Sequence, residues 1–160
     1  MDAAQLDWLQ SHLWILSGLY GCVRPFHGVS PYRLEMGAKL SVDDVRDLYA
    51  FWGDKLACAI APTGSNTTVV NLASVEYAKA VLPHLAGDAT TVTCLFGEGV
   101  RNGKPIQRST ASKKARGSMV RWMAENKLED ASGLTAFDVG YRHLPELSNK
   151  NTLVFLNEQT

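Results

Sequence analysis

Between Arg101 and Arg121 the chain carries seven basic residues (Arg101, Lys104, Arg108, Lys113, Lys114, Arg116 and Arg121) and no acidic one. Over the whole chain the signs balance, 16 Lys and Arg against 16 Asp and Glu, so the formal net charge is zero. A neutral chain has no global field to steer a polyanion, so binding to nucleic acid must rest on a local patch of this kind. On a helix opening at Ser112, with about 100° between successive residues, Lys113, Lys114, Arg116 and Arg121 share one face. Ala115, Met119, Trp122 and Met123 take the other side. The first amides of that helix and the positive end of its macrodipole would coincide with Lys113 and Lys114, which suits a phosphate. The plain alternative is a solvated basic face. The missing acids weaken it, because surface helices usually mix signs in i,i+4 pairs.

Two further sets could carry chemistry. Arg24, Tyr32, Arg33 and Glu35 lie in a glycine-rich segment and could form a ligand pocket; a structural Arg–Glu pair pinning the loop is the better-supported reading. Ser17–Gly21 could present backbone amides to a phosphate, although Gly18 and Gly21 alone are a weak signal. The other set is Trp52-Gly53-Asp54 with Asn71, Ser74 and Glu76. Glycine in an apolar helical pattern costs about 1 kcal/mol relative to alanine, so Gly53 predicts a kink or close packing. Asn71 and Ser74 stand at a strand-to-helix junction, a common place for sites in α/β proteins. Ordinary capping and turn chemistry also explains any one of them.

The histidines His12, His27, His84 and His143 show no HxxxH or HExxH spacing, so neither a metal site nor a cofactor is expected. No GxSxG, Walker or GxGxxG pattern is present. Cys22, Cys58 and Cys94 are scattered and odd in number, which argues against a disulfide framework and for a reducing compartment. Each reads first as a buried inert thiol and second as a redox sensor. Met1–Trp14 has two aspartates and a helical apolar pattern rather than a signal peptide. No apolar run approaches the roughly 20 residues of a membrane span. A cytoplasmic protein without membrane contact is the expectation.

The elements that must position these groups can be read from periodicity. A length of 160 residues and 46% hydrophobic content fit one domain with a real core. Leu6, Leu9, Leu13 and Leu16 predict an amphipathic helix over 3–16. Residues 17–37, rich in Gly and Pro, read as a packed loop. A second helix is predicted over 41–60, capped by Ser41, with Val45, Leu48, Tyr49, Trp52 and Leu56 as its apolar stripe. A turn at 62–66, a short strand at 67–73 and a helix capped by Ser74 follow. Then come a strand over 89–96, a hairpin turning at Asn102-Gly103 with its second strand running to Thr110, the basic helix over 112–126, and a last strand over 152–156. The fold class is mixed α/β, a small mixed sheet flanked by helices.

Taken in order, several blocks resemble the YaaA family of peroxide-stress proteins. These are LSGLYG (16–21), RP (24–25), PYRLEMG (31–37), LYAFWGD (48–54), VNLASVEY (70–77), KKARG (113–117) and AENKL (124–128), the last similar to a family "IENRL". The likeness covers the C-terminal two-thirds of the family pattern. The family's N-terminal part, roughly 95 residues long with an "SPAKT"-like motif whose lysine belongs to the presumed site, has no counterpart here. The resemblance implies one YaaA-like domain over residues 1–160, with a positively charged cleft and a helix-hairpin-helix-like element for which Gly18–Gly21 is the candidate. It also implies a protein induced by hydrogen peroxide that binds DNA and limits its oxidative damage, associated with lowered free iron. Where the family has an aromatic in "SFYAKKARG", this chain reads Arg108-Ser109-Thr110-Ala111-Ser112 before Lys113, which removes a possible base-stacking platform.

The leading expectation is sequence-tolerant DNA binding, of duplex or distorted DNA. Lys113, Lys114, Arg116 and Arg121 would contact phosphates, Arg24 and Arg33 would line the cleft, and Gly18 and Gly21 would offer amides. The alternative is an enzyme acting on a nucleobase or nucleotide, a small-molecule substrate in the second case, with Glu35, Asp54 or Glu76 as acid or base and Arg33 as anion anchor. The third class, iron handling, lacks any ligand spacing to support direct metal storage.

Overall fold

The computed structural model describes residues 1–158. In chain order the elements are α1 (Ala3–His12), β1 (Ile15–Ser17), β2 (Gly21–Val23), α2 (Leu48–Trp52), α3 (Lys55–Ile60), β3 (Thr68–Asn71), α4 (Val75–Ala78), β4 (Thr90–Gly97), β5 (Val100–Arg101), β6 (Lys104–Pro105), α5 (Ser109–Glu125), β7 (Tyr141–His143) and β8 (Thr152–Asn157). Short 3-10 turns occupy Leu82–His84, Ala131–Ala136 and Pro145–Leu147. This is a mixed α/β fold. Among the described residues no helix is long and apolar enough to cross a membrane.

The chain divides into two compact units, one comprising residues 1–8, 70–72 and 91–158, the other residues 9–69 and 73–90. In the first, the sheet runs β3-β4-β8-β7. Strands β4 and β8 pair in parallel from Thr93 opposite Thr152 to Gly97 opposite Leu156, while β7 returns antiparallel along β8. Its core is Val92, Cys94 and Phe96 of β4 with Phe155 of β8, Tyr141 of β7, Leu134 and Phe137, over which α5 lays Ala115 and Met119. The alternation of buried and half-buried residues along β4 is the period-2 signature of a strand with one face in a core. Strand β7 lies between the expected basic helix and the expected last strand, where no element is predicted: only Tyr141 of its three residues is buried, too short a pattern to see.

In the second unit the elements are short and several expectations fail. Helix α1 stops at His12 rather than at Leu16, and Ile15–Ser17 pairs antiparallel with Gly21–Val23. Leucines at 13 and 16 fit the helical period, yet the turn at Gly18–Tyr20 offers β1 a partner strand, and pairing wins. The helix expected over 41–60 is two helices. Residues 42–45 form a tight turn with Asp43 at φ 51°, and Asp47, not Ser41, caps α2 by accepting from the Ala50 amide at 2.8 Å. Gly53, at φ 51°, breaks α2 from α3, the kink its position predicted. Ser74 caps α4 as expected, its Oγ accepting from the Tyr77 amide, but α4 is a single turn. The unit's core gathers Met36, Leu48, Leu56, Ala57, Ala80 and Val81.

Candidate nucleic-acid interface

Helix α5 begins at Ser109, three residues before the expected start, with Arg108 in extended conformation at its N-cap and no side-chain capping bond. Lys113 and Lys114 therefore stand in the second turn, not among the first amides. Ser112, the expected first residue of the helix, is buried and its Oγ donates to the Phe96 carbonyl, fastening α5 to β4. No acid occupies the first turn, so no residue of the helix itself compensates its positive end there. The β5–β6 hairpin leads into it: Asn102 and Gly103 take φ 51° and 70°, as a type I′ turn requires, and Arg101 pairs with Lys104 across it. This hairpin is shorter than expected, since β6 ends at Pro105 and not near Thr110.

The seven cations differ in what they are free to do. Lys113, Lys114, Arg101 and Lys104 are exposed and have no ion-pair partner among the described residues. Arg108 Nε meets Glu98 Oε2 at 2.7 Å, and Arg121 Nε meets Glu125 Oε1 at 2.7 Å, one turn along the helix. Arg116 is half-buried; its Nε has no hydrogen-bond partner, and burial lowers its pKa from the ordinary arginine value. The acid-free window was thus real but its edges misled: the acids that answer Arg108 and Arg121 sit just outside it. The i,i+4 spacing of Arg121 and Glu125 was there to be seen; the Glu98 pair needs the hairpin to fold back. An open depression of about 420 Å³ lies at the head of α5, lined by Glu98, Arg108, Ser109, Thr110, Ala111 and Lys114. Its lining of hydroxyls and two cations suits an oxyanion, with Glu98 the dissenting charge.

The remaining expected site residues, Asn71 apart, belong to the second unit, and most are structural. Arg24, expected in a cleft, stacks its guanidinium 3.7 Å from the Trp14 ring centre and donates to the Ser11 and Leu13 carbonyls at 2.9 and 3.3 Å. It pins the end of α1 and forms no pair with Glu35, contrary to the Arg–Glu reading. Gly18 and Gly21 are buried in the strand hairpin and serve packing. A Cβ at Gly18 would meet the Leu34 carbonyl at 2.8 Å, and Gly21, at φ 74°, lies where a Cβ would meet the Trp52 ring at 2.8 Å. Since Gly18–Gly21 joins two strands, it is not a helix-hairpin-helix turn.

Glu76 accepts from the Gly37 amide at 2.7 Å, and its carbonyl accepts from Tyr49 Oη at 3.1 Å. Tyr32 shares a hydrogen bond with the buried Ser17 hydroxyl, which also accepts from the Tyr20 amide. Tyr77 has its pKa raised by burial first and then by the nearby Tyr32, Glu76 and Glu35, against a hydrogen bond from the Met36 backbone. The segment 31–37 is thereby stapled at several points, with Leu34 and Met36 turned into the core and Arg33 and Glu35 exposed. Asp54 is exposed at the head of α3. Asn71 belongs to the first unit, buried, its Nδ2 donating to Thr93 Oγ1 at 3.2 Å. Among the described residues no group of three His, Cys, Asp or Glu could hold a metal ion.

Residues 1–147 match the family model described as Peroxide stress protein YaaA. Curated relatives, each described as a UPF0246 protein, are similar along nearly the whole chain. One from Pediococcus pentosaceus is 46% identical over 99% of this chain and 62% of its own length. One from Laribacter hongkongensis is 47% identical over 99% of this chain and 62% of its own. One from Desulfitobacterium hafniense is 44% identical over 94% of this chain and 59% of its own. The chain thus spans about three-fifths of the length of the curated relatives it matches. On the family match and these identities, the chain belongs to the family of peroxide stress protein YaaA.

Proposed function

We propose that this chain binds the phosphate backbone of DNA, without reading sequence, through the Lys113–Lys114 face of α5 and the Arg101–Lys104 hairpin, and so serves the protection of DNA under peroxide stress. The observation that carries this reading is one of charge accounting. Four exposed cations have no acidic partner among the described residues, and one of them, Lys114, lines an open depression at a helix start that has no cap and no acid in its first turn. Because the chain as a whole is neutral, binding is local and modest, governed by counterion release. Arg116 and Arg121 contribute little, one being half-buried and the other already paired. Arg33 stays a candidate contact on its own unit, whereas Arg24, Gly18 and Gly21 leave the interface.

The test is duplex binding measured over a range of salt. Four neutralised phosphates give a slope of log K on log salt near −3.6, about 0.9 per phosphate. Affinity indifferent to salt would end the proposal.

A second reading is supported by the stapled segment 31–37. A segment held at Ser17, Glu76 and the core presents Arg33 and Glu35 exposed and without ion-pair partners among the described residues, an arrangement a plain phosphate binder does not need. In this reading Arg33 anchors the anionic part of a nucleotide and Glu35 is the acid or base. Glu76 is the weaker candidate because its carboxylate already accepts from Gly37. Calorimetric titration with nucleoside monophosphates tests it: heat that Arg33→Gln abolishes supports the enzyme class, and no heat removes it.

A further inference from the structure

We infer that Glu98 sets the affinity of the anion site by holding Arg108 in reserve, an inference that rests on the phosphate reading given above. Arg108 and Glu98 form an ion pair at 2.7 Å and both line the depression at the head of α5. Their exposures differ: the Glu98 side chain is 28% exposed and that of Arg108 75%. The carboxylate is the fixed partner. The Glu98 amide donates to the Ile106 carbonyl at 3.0 Å and the Ile106 amide to the Gly99 carbonyl at 2.8 Å, which ties the chain after β4 to the chain after β6. The guanidinium, on a long exposed side chain at the helix N-cap, is the partner that can turn.

An anion arriving at Lys114 and the first turn of α5 therefore finds the nearest guanidinium engaged by a carboxylate. A phosphate can offer Arg108 a bidentate acceptor in place of its Nε contact to Glu98, so the guanidinium exchanges one for the other. The exchange breaks an existing pair and leaves Glu98 beside the incoming negative charge, and both effects weaken binding. Glu98 is thus a positioning residue acting through Arg108, and the site binds less tightly than its cations alone would allow. In a sequence-tolerant binder such a brake keeps attachment to DNA reversible.

The experiment compares wild type, Glu98→Gln, Arg108→Gln and the double variant, each titrated with duplex DNA and with inorganic pyrophosphate over a range of salt. Glutamine keeps the shape of Glu98 at a surface position, and thermal melting checks that each variant is folded. Glu98→Gln should tighten both ligands by roughly three- to tenfold and steepen the duplex salt slope by about 0.9. In the Arg108→Gln background that gain should shrink to the part that comes from removing the carboxylate's own repulsion of the anion, the non-additivity expected of a coupled pair. An unchanged affinity in Glu98→Gln overturns the inference, and so does a gain that is just as large without Arg108, which is a general charge effect. Duplex binding without coupling removes this inference and leaves the DNA reading. Arg108-dependent coupling for pyrophosphate without any duplex binding keeps the inference and removes the DNA reading. Binding of neither ligand by any of the four proteins removes both.

Discussion

In the first unit Phe96, Phe137, Tyr141 and Phe155 meet ring to ring, and α5 covers them with Ala115 and Met119. In the second no helix after α1 exceeds six residues, and polar side chains make up the difference: Asp47 and Ser74 cap helices, Arg24 clamps two carbonyls, Glu76 holds Gly37, and Tyr32 meets Ser17. The same residue types thus serve opposite ends. Where a continuous aromatic core holds a helix of 17 residues, that helix's outer face is released from structural duty and can carry unpaired lysines. Where elements are too short to bury much surface, arginine, glutamate and tyrosine are drawn into holding the chain together. A charged or aromatic residue is therefore a better functional candidate in the first unit than in the second.

The strongest test of that contrast is a core deletion. Phe96→Ala should cost about 3–5 kcal/mol, the range for a buried phenylalanine whose site cannot collapse, read as a lowered urea midpoint. A loss below about 1 kcal/mol would show that the ring cluster does not carry the first unit. Next comes Gly21→Ala, which combines a positive φ with a Cβ 2.8 Å from the Trp52 ring. Its cost should be about 1–3 kcal/mol, with the salt slope for duplex DNA unchanged. A stable Gly21→Ala protein that had lost DNA affinity would reverse the assignment and return the glycine to phosphate binding.

Replacing Lys113 and Lys114 together by glutamine should leave stability within about 0.5 kcal/mol, as for ordinary surface changes. The same change should lower the duplex salt slope by about 1.8 units, two phosphates at about 0.9 each. Stability lost without a change in slope would make these lysines structural after all. The cysteines sharpen the comparison through pH. Burial pushes the Cys94 thiol in the first core up from its ordinary 9.0 to about 12, so it stays protonated when folded. Above pH 9.0 the unfolded chain ionises this thiol and the folded one does not, so its contribution to stability falls as pH rises. A thiol reagent at neutral pH should label the exposed Cys58 at once and Cys94 only on unfolding. The smallest effect belongs to Arg121→Gln. With its guanidinium paired to Glu125 on an exposed surface, DNA affinity should change less than about twofold.

The basic helix face, the cap at Ser74, the break at Gly53 and the Asn-Gly hairpin were all legible in the chain, because each rests on spacing along a single element. The ends of elements were not. Leu13 and Leu16 obey a helical period, but whether residue 15 joins a helix or a strand depended on Gly21–Val23 folding back to pair with it. The start of α5 was misplaced by three residues because Ser112 has the chemistry of a cap, while its hydroxyl was needed by the Phe96 carbonyl. Among site residues, Arg24, Gly18, Gly21 and Glu76 looked functional for the reason that made them structural: each has strong local chemistry. The partner that uses it lies 11 to 39 positions away for Arg24 and Glu76.

What the sequence by itself determined was membership in the YaaA family, a mixed α/β fold and the place of the unbalanced charge, since blocks, periods and charge runs are properties of the chain read in order. What only the tertiary structure decided was which of those charges is available. Glu98 and Glu125 lie outside the acid-free run and yet answer two of its arginines, and burial sets Arg116 apart from its neighbours. Availability of a charge depends on what stands within about 4 Å of it, because ion-pair energies fall with distance in space, whatever the separation along the chain.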